Sequence, residues 1–186
     1  SLVNLRPIFF NVISILTGTG YVTGEFDVWG NFPLIFFLSL MFIGGCAGST
    51  TCGIKIFRIQ ILYAFVLNQL KKIIYPKGIF LIKYDKNTVD EKFMASIISF
   101  IFLYLVIFFL LTAFLTLSGL DFITSISGAA TSISNVGPGL GSTIGPSGNF
   151  TNLPEVSKWI LSFGMILGRL ELFAILVLFL PSFWKN

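Results

Sequence analysis

The chain has no histidine, two cysteines and few charges, with Asp, Glu, Lys and Arg together making up 11% of its 186 residues. The lack of histidine removes most transition-metal sites and most acid–base catalytic schemes. Cys46 and Cys52, six positions apart in one glycine-rich stretch, are too few for a disulfide framework and lack metal-ligand spacing. Soluble domains carry about 25% charged residues, so the composition argues against a soluble globular enzyme. It argues equally against a disordered chain, because apolar surface is abundant. No basic start followed by a cleavage site marks a signal peptide. The chain opens Ser1-Leu2-Val3 without methionine, and we expect it to be a piece of a longer polypeptide.

What is present is apolar. Hydrophobic residues make up 55% and aromatic residues 16% of the chain, including 22 Phe, and the mean hydropathy is +0.91. An integral membrane protein is the class that fits. The apolar runs are long and unbroken, whereas a transmembrane barrel needs alternating segments of roughly ten residues. The expected fold class is therefore all-α. A spanning helix needs about 20 apolar residues. Three segments reach that length: 32–70, interrupted near its middle, 93–117 and 156–183.

Two further helical segments, 5–16 and 121–133, are too short to span. Apolar stretches of that length are often re-entrant. Asp121 stands where it could cap the second of them. Each runs into glycine, as Thr17-Gly18-Thr19-Gly20-Tyr21 and Ser134-Asn135-Val136-Gly137-Pro138. The two align at an offset of 117 positions, with a hydroxyl residue followed three places later by Gly. Each precedes a spanning segment, and self-similarity at a fixed offset indicates a structural repeat.

Basic residues orient the chain. Lys55, Arg58, Lys71, Lys72, Lys77, Lys83, Lys86 and Lys92 cluster between the first two spans, and with Lys185 and the nearby acids that side sums to +6. The opposite side, with Arg6, Glu25, Asp27, Asp121, Glu155 and Lys158, sums to −2. By the positive-inside rule the connection 73–92 and the C-terminus are cytoplasmic, and both short helices enter from outside.

Irregular backbone at membrane depth persists only where protein buries it or it lines an aqueous path. Successive carbonyls on glycine-kinked backbone can replace the hydration shell of a stripped cation. The expected ligands are the carbonyls of Thr17, Gly18, Thr19, Gly20, Ser134, Asn135, Val136 and Gly137, with the hydroxyls of Thr17 or Ser134 at the inner mouth. No side-chain charge is needed, which suits K⁺. Four such segments are required to encircle an ion, and this chain supplies two. The alternative is a non-conducting scaffold whose glycines serve helix packing.

Gly44-Gly45-Cys46-Ala47-Gly48-Ser49-Thr50-Thr51-Cys52-Gly53 breaks the first span. Each glycine costs a helix roughly 1 kcal/mol relative to Ala. The stretch is read as a flexible gate below the carbonyls, or as a close helix-crossing surface. It lacks the Gly-Lys-Ser/Thr order of a phosphate loop. Arg169 and Glu171 lie within the last span, where a charge must be paired or hydrated. They are two apart and do not face each other on a helix. Arg169 is expected to face the ion path as an electrostatic barrier, with Glu171 on Lys55 or Arg58. A single structural ion pair involving both is the alternative.

These motifs, together with Lys55-Ile56-Phe57-Arg58, Gly139-Leu140-Gly141 and Leu167-Gly168-Arg169-Leu170-Glu171, cover nearly the whole chain. In that order they resemble the C-terminal part of the Trk/Ktr/HKT potassium uptake proteins, most closely the bacterial TrkH type. The resemblance implies helix–pore loop–helix repeats of a K⁺-channel-like superfamily, incomplete in this chain. Residues 1–72 would be a third repeat lacking its first helix, with pore helix 5–16, filter 17–21 and broken second helix 32–70. Residues 93–186 would be a complete fourth repeat, with first helix 93–117, pore helix 121–133, filter 134–138 and second helix 156–183. It further implies K⁺ as the transported ion and no covalently bound cofactor. The implied partners are the missing N-terminal repeats, a second copy of the protein and a cytosolic nucleotide-binding regulator, but not nucleic acid. The implied location is the bacterial inner membrane. The basic face at 71–92 is either a docking face for that regulator or simply the positive-inside signal.

Overall fold

The computed structural model describes residues 2–78, 80–84, 87–170 and 172–185. The chain is helical, with α1 (Leu2–Leu16), α2 (Asn31–Phe42), α3 (Ile56–Ile74), α4 (Glu91–Leu117), α5 (Phe122–Ser134), α6 (Glu155–Arg169) and α7 (Leu172–Leu178). A small antiparallel hairpin, β1 (Lys83–Tyr84) with β2 (Asn87–Thr88), joins α3 to α4.

The fold is built around α5. Its residues from Thr124 through Ser134, Ile126 apart, are buried, because α4, α6 and α2 all pack on it. Small side chains permit that approach. Ser125, Ser127, Gly128, Ala129 and Ala130 leave room for neighbouring backbones. The hydroxyls then bond internally, with Ser127 Oγ donating to Ile123 O at 2.7 Å and Ser132 Oγ to Ala129 O at 3.0 Å. At the N-terminus the Asp121 carboxylate accepts from Thr124 N–H at 3.1 Å. Hydrogen bonding from Thr124 holds this carboxyl below its usual range, as expected for a helix cap.

α4 is apolar all round but buries one stripe, Ile97, Phe100, Tyr104, Ile107, Phe108, Leu111 and Leu115. The three- and four-residue steps are those of one helix face. Its other side exposes Phe102, Phe109, Phe114 and Leu117, an apolar surface suited to hydrocarbon. On the far side of the basic connection, α3 rests Ile61 on Met94 and Ile97 of α4.

Of the three expected spans, α4 is the one unbroken helix among the described residues that is long and apolar enough to cross a bilayer. The stretch 32–70 is divided. α2 has 12 residues, roughly 18 Å of helix against about 30 Å of hydrocarbon. α3 carries Arg58, Gln60, Asn68, Gln69, Lys71 and Lys72, which makes it amphipathic. The stretch 156–183, expected as one helix, is also divided, into α6 and α7. α6 ends at Arg169, where a charge within an apolar run must find a partner elsewhere.

Candidate functional site

The two short helices end in backbone of the same form. After α1, Gly18 and Gly20 have φ of +67° and +77°. After α5, Asn135 and Gly137, which occupy the matching places 117 positions later, have φ of +51° and +114°. Asn135 is the one non-glycine residue with positive φ among those described. Asn tolerates this region better than other side chains. The left-handed residues alternate with ordinary ones, so each chain reverses out of its helix as an irregular hairpin.

The hairpins lie against each other. A Cβ on Gly20 would collide with the Val136 carbonyl oxygen, and one on Gly137 would stand 3.7 Å from Gly20 Cα. Glycine at position 20 is therefore required twice, by its φ and by its neighbour.

The hairpins are braced differently. In the first, Ser14 O accepts from Thr19 N–H at 2.9 Å and Gly20 N–H at 3.3 Å. Thr17 Oγ1 donates to Ile13 O at 2.7 Å and lies 2.8 Å from Thr19 Oγ1. Buried Asn11 ties the returning limb to α1 by accepting from Thr23 N–H at 3.0 Å. In the second, Thr131 O accepts from Val136 N–H at 3.1 Å, and Thr131 Oγ1 accepts from Gly137 N–H at 2.9 Å. Asn135 Nδ2 donates to Met165 O of α6 at 3.0 Å. Ser134 Oγ lies 2.7 Å from the Tyr104 hydroxyl of α4. The hydroxyls expected as ion ligands are thus already engaged, that of Thr17 locally and that of Ser134 in the core.

The glycine stretch 44–53 is an excursion closed at its neck. Gly44 N–H donates to Ile54 O and Ile54 N–H to Phe42 O, both at 2.9 Å, and Ile56 N–H reaches Gly45 O at 3.2 Å. Gly48 and Gly53 have φ of +84° and +86°. A Cβ on Gly44 would meet Cys52 O at 2.6 Å, so the neck admits no side chain there. Cys46, Ala47, Ser49 and Thr50 form the tip, where Ser49 Oγ donates to Cys46 O at 2.8 Å. Thr51 lies on the side of the first hairpin, with its Cγ2 3.4 Å from where a Gly18 Cβ would be.

Arg169 reaches this loop. Its Nη1 donates to Thr50 O at 2.8 Å and lies 3.9 Å from Cys52 Sγ. Lys55, Arg58, Tyr104 and Arg169 line, with residues 49–53, one cavity of about 280 Å³. The Arg58 guanidinium lies over the Phe100 ring at 3.9 Å from its centroid, a cation–π arrangement. Glu171, expected to pair with Lys55 or Arg58, lies outside the described residues.

Five residues that support the site were given no such role by the sequence. Asn11, Thr131 and Tyr104 support the hairpins across gaps of residues that no local pattern announces. Gly164 and Gly168 seat α6 on the end of α5. A Cβ at Gly164 would stand 2.7 Å from Ser132 Oγ, and one at Gly168 would collide with Ile133 O. The four-residue spacing of these glycines is itself a packing signal and could have flagged them.

Residues 4–186 match the family model described as TrkH, cation transport protein. The Trk system potassium uptake protein TrkI of Halomonas elongata is 43% identical over 183 residues, covering 98% of this chain and 37% of that protein. The Trk system potassium uptake protein TrkH of Escherichia coli K12 is 34% identical over 186 residues, covering all of this chain and 38% of that protein. The crystal structure of the potassium transporter TrkH from Vibrio parahaemolyticus superposes with a TM-score of 0.88 at 32% identity, covering 96% of this chain and 38% of that one. The chain therefore spans well under half the length of these relatives.

Proposed function

The chain belongs to the TrkH family of cation transport proteins, and from that membership we propose that it forms part of a path for potassium uptake across a bacterial inner membrane. The observation that carries this reading is the contact of two glycine hairpins with matched left-handed residues, Gly20 against Val136. Carbonyls at 17–20 and 134–137 supply one side of an ion-coordinating ring, and main-chain oxygen suits a weakly hydrated cation. Two further hairpins complete the ring. They come from repeats preceding residues 1–72, which act as a third repeat without its first helix, while 93–186 act as the fourth.

Below the ring the loop at 44–53 is the gate, and Arg169 holds it by a charge-assisted bond to Thr50 O. Arg169 thus acts on the loop as a latch in addition to presenting a positive barrier to cations. The connection 73–92 and the C-terminus face the cytoplasm, in keeping with the positive charge there. A second copy of the whole protein and a cytosolic nucleotide-binding regulator are its expected partners.

The test is Gly137→Ser in the full-length polypeptide that carries this segment. A side chain at φ +114° strains the hairpin and turns its carbonyls. The expected outcome is a loss of K⁺ over Na⁺ discrimination in uptake by K⁺-starved cells. Unchanged relative uptake argues instead for a scaffold in which these glycines only pack.

A further inference from the structure

The matching residues of the two hairpins differ in one respect that has a structural consequence. In the first hairpin the Thr17 hydroxyl pairs with Thr19, 2.8 Å away. In the second, Ser134 occupies the place of Thr17, but Val136 occupies that of Thr19. Valine has no hydroxyl, so the local pair cannot form. The partner comes instead from thirty residues away, in Tyr104 of α4, at 2.7 Å.

Tyr104 is 2% exposed and Ser134 1% exposed. In so dry a setting a hydroxyl pair is directional, and either group left alone is an unsatisfied polar atom. The tyrosine ring is itself wedged. Phe42, the last residue of α2, meets it edge-on with centroids 6.2 Å apart, and Phe100 lies 6.1 Å away. The hydroxyl therefore sits where ring packing puts it, within 2.7 Å of Ser134 Oγ.

We propose that Tyr104 is a positioning residue for ion discrimination. From a membrane-crossing helix its hydroxyl holds Ser134, and through Ser134 it sets the direction of the carbonyls that follow. Its role rests on the reading of the second hairpin as part of an ion path. It assigns to α4 a share in selectivity that the pore helix and hairpin do not hold alone. It also turns the Ser134 hydroxyl toward α4 rather than leaving it free as an ion ligand.

The experiment compares Tyr104→Phe, Ser134→Ala, the double variant and Gly137→Ser in the full-length protein, at equal amounts of folded protein by gel filtration. The readout is relative K⁺ and Na⁺ uptake. Tyr104→Phe keeps the ring and removes one oxygen. It is expected to lower the K⁺/Na⁺ ratio by roughly three- to tenfold, the range that one hydrogen bond carries. Ser134→Ala is expected to do the same, and the double variant to be no worse than either alone. A parent-like ratio in Tyr104→Phe, or losses that multiply in the double variant, overturns the assignment. Should Tyr104→Phe not assemble, Ser134→Ala decides alone, a lowered ratio supporting the assignment and a parent-like ratio overturning it. Gly137→Ser separates the two levels of the argument. If it shifts the ratio and the other variants do not, the role of Tyr104 falls and the ion path stands. If it too leaves the ratio unchanged, the ion path falls.

Discussion

Single side chains and single missing side chains hold this structure in place. Arg169 carries a charge into an apolar stretch and finds a carbonyl, that of Thr50, at 2.8 Å. A hydrogen bond to a charged group is worth about 1.5–3 kcal/mol. Arg169→Ala is therefore expected to shift the loop from held to released by roughly tenfold or more. K⁺ uptake by the full-length protein should rise accordingly. Lower uptake together with loss of folded protein would mark Arg169 as structural only. Asp121 makes a milder contribution. Asp121→Ala removes the cap of α5 and is expected to cost about 1 kcal/mol in thermal unfolding in detergent. The folded carboxyl sits below its usual range, so its contribution is complete above the unfolded value of about 3.9. It fades as pH falls through the lower folded value. The gap between parent and variant should accordingly be full at neutral pH and close on strong acidification.

At the level of elements, the loop at 44–53 and the two hairpins share a property. Each is irregular backbone inside an apolar molecule, and each is closed by main-chain bonds across its own base. For the loop these are the bonds of Gly44 and Ile54 at 2.9 Å. The neck is held, while the tip at 46–50 is connected through Ser49 to Cys46 and through Thr50 to Arg169. Deleting residues 45–50 in the full-length protein is expected to remove the bond of Ile56 to Gly45, to leave α2 and α3 joined through the bonds of Gly44 and Ile54, and to raise K⁺ flux. Flux equal to the parent would remove the gate role. α5 shows why its short-helix pattern was legible: an acidic cap, a short run of small and apolar residues, and glycine beyond are all local signals. The division of 156–183 into α6 and α7 was not, because its run of apolar residues continues past Arg169 without a proline or a glycine pair to mark the end.

For the whole molecule, α5 is wrapped by neighbours while α1, its counterpart, exposes Leu5, Ile8, Phe9, Phe10 and Ile13. The second hairpin is hydrogen-bonded to α4, α5 and α6, whereas among the described residues the hydrogen bonds of the first come from its own segment and α1. On the proposed reading, in which four hairpins encircle the ion, two hairpins leave the remaining side of the ring to be supplied. Residues 1–186 reconstituted alone in liposomes are therefore expected to give no K⁺-selective uptake, with the full-length protein in parallel restoring it. Selective uptake by the shorter chain would show that copies of it assemble the ring among themselves.

The sequence by itself determined the apolar helical class, the matched glycine segments 17–20 and 134–137, the break within 32–70 and the cap at Asp121. Each of these follows from composition or from residues within a few positions of one another, where propensity and φ preference act directly. Only the tertiary structure decided that Gly20 lies on Val136, that Ser134 pairs with Tyr104, that Asn135 reaches Met165, and that Arg169 takes Thr50 as its partner 119 positions away. Those pairings depend on which helix faces meet. That choice is made by the small residues of α5 and by Gly164 and Gly168 of α6, through space left empty rather than through any pattern read along the chain.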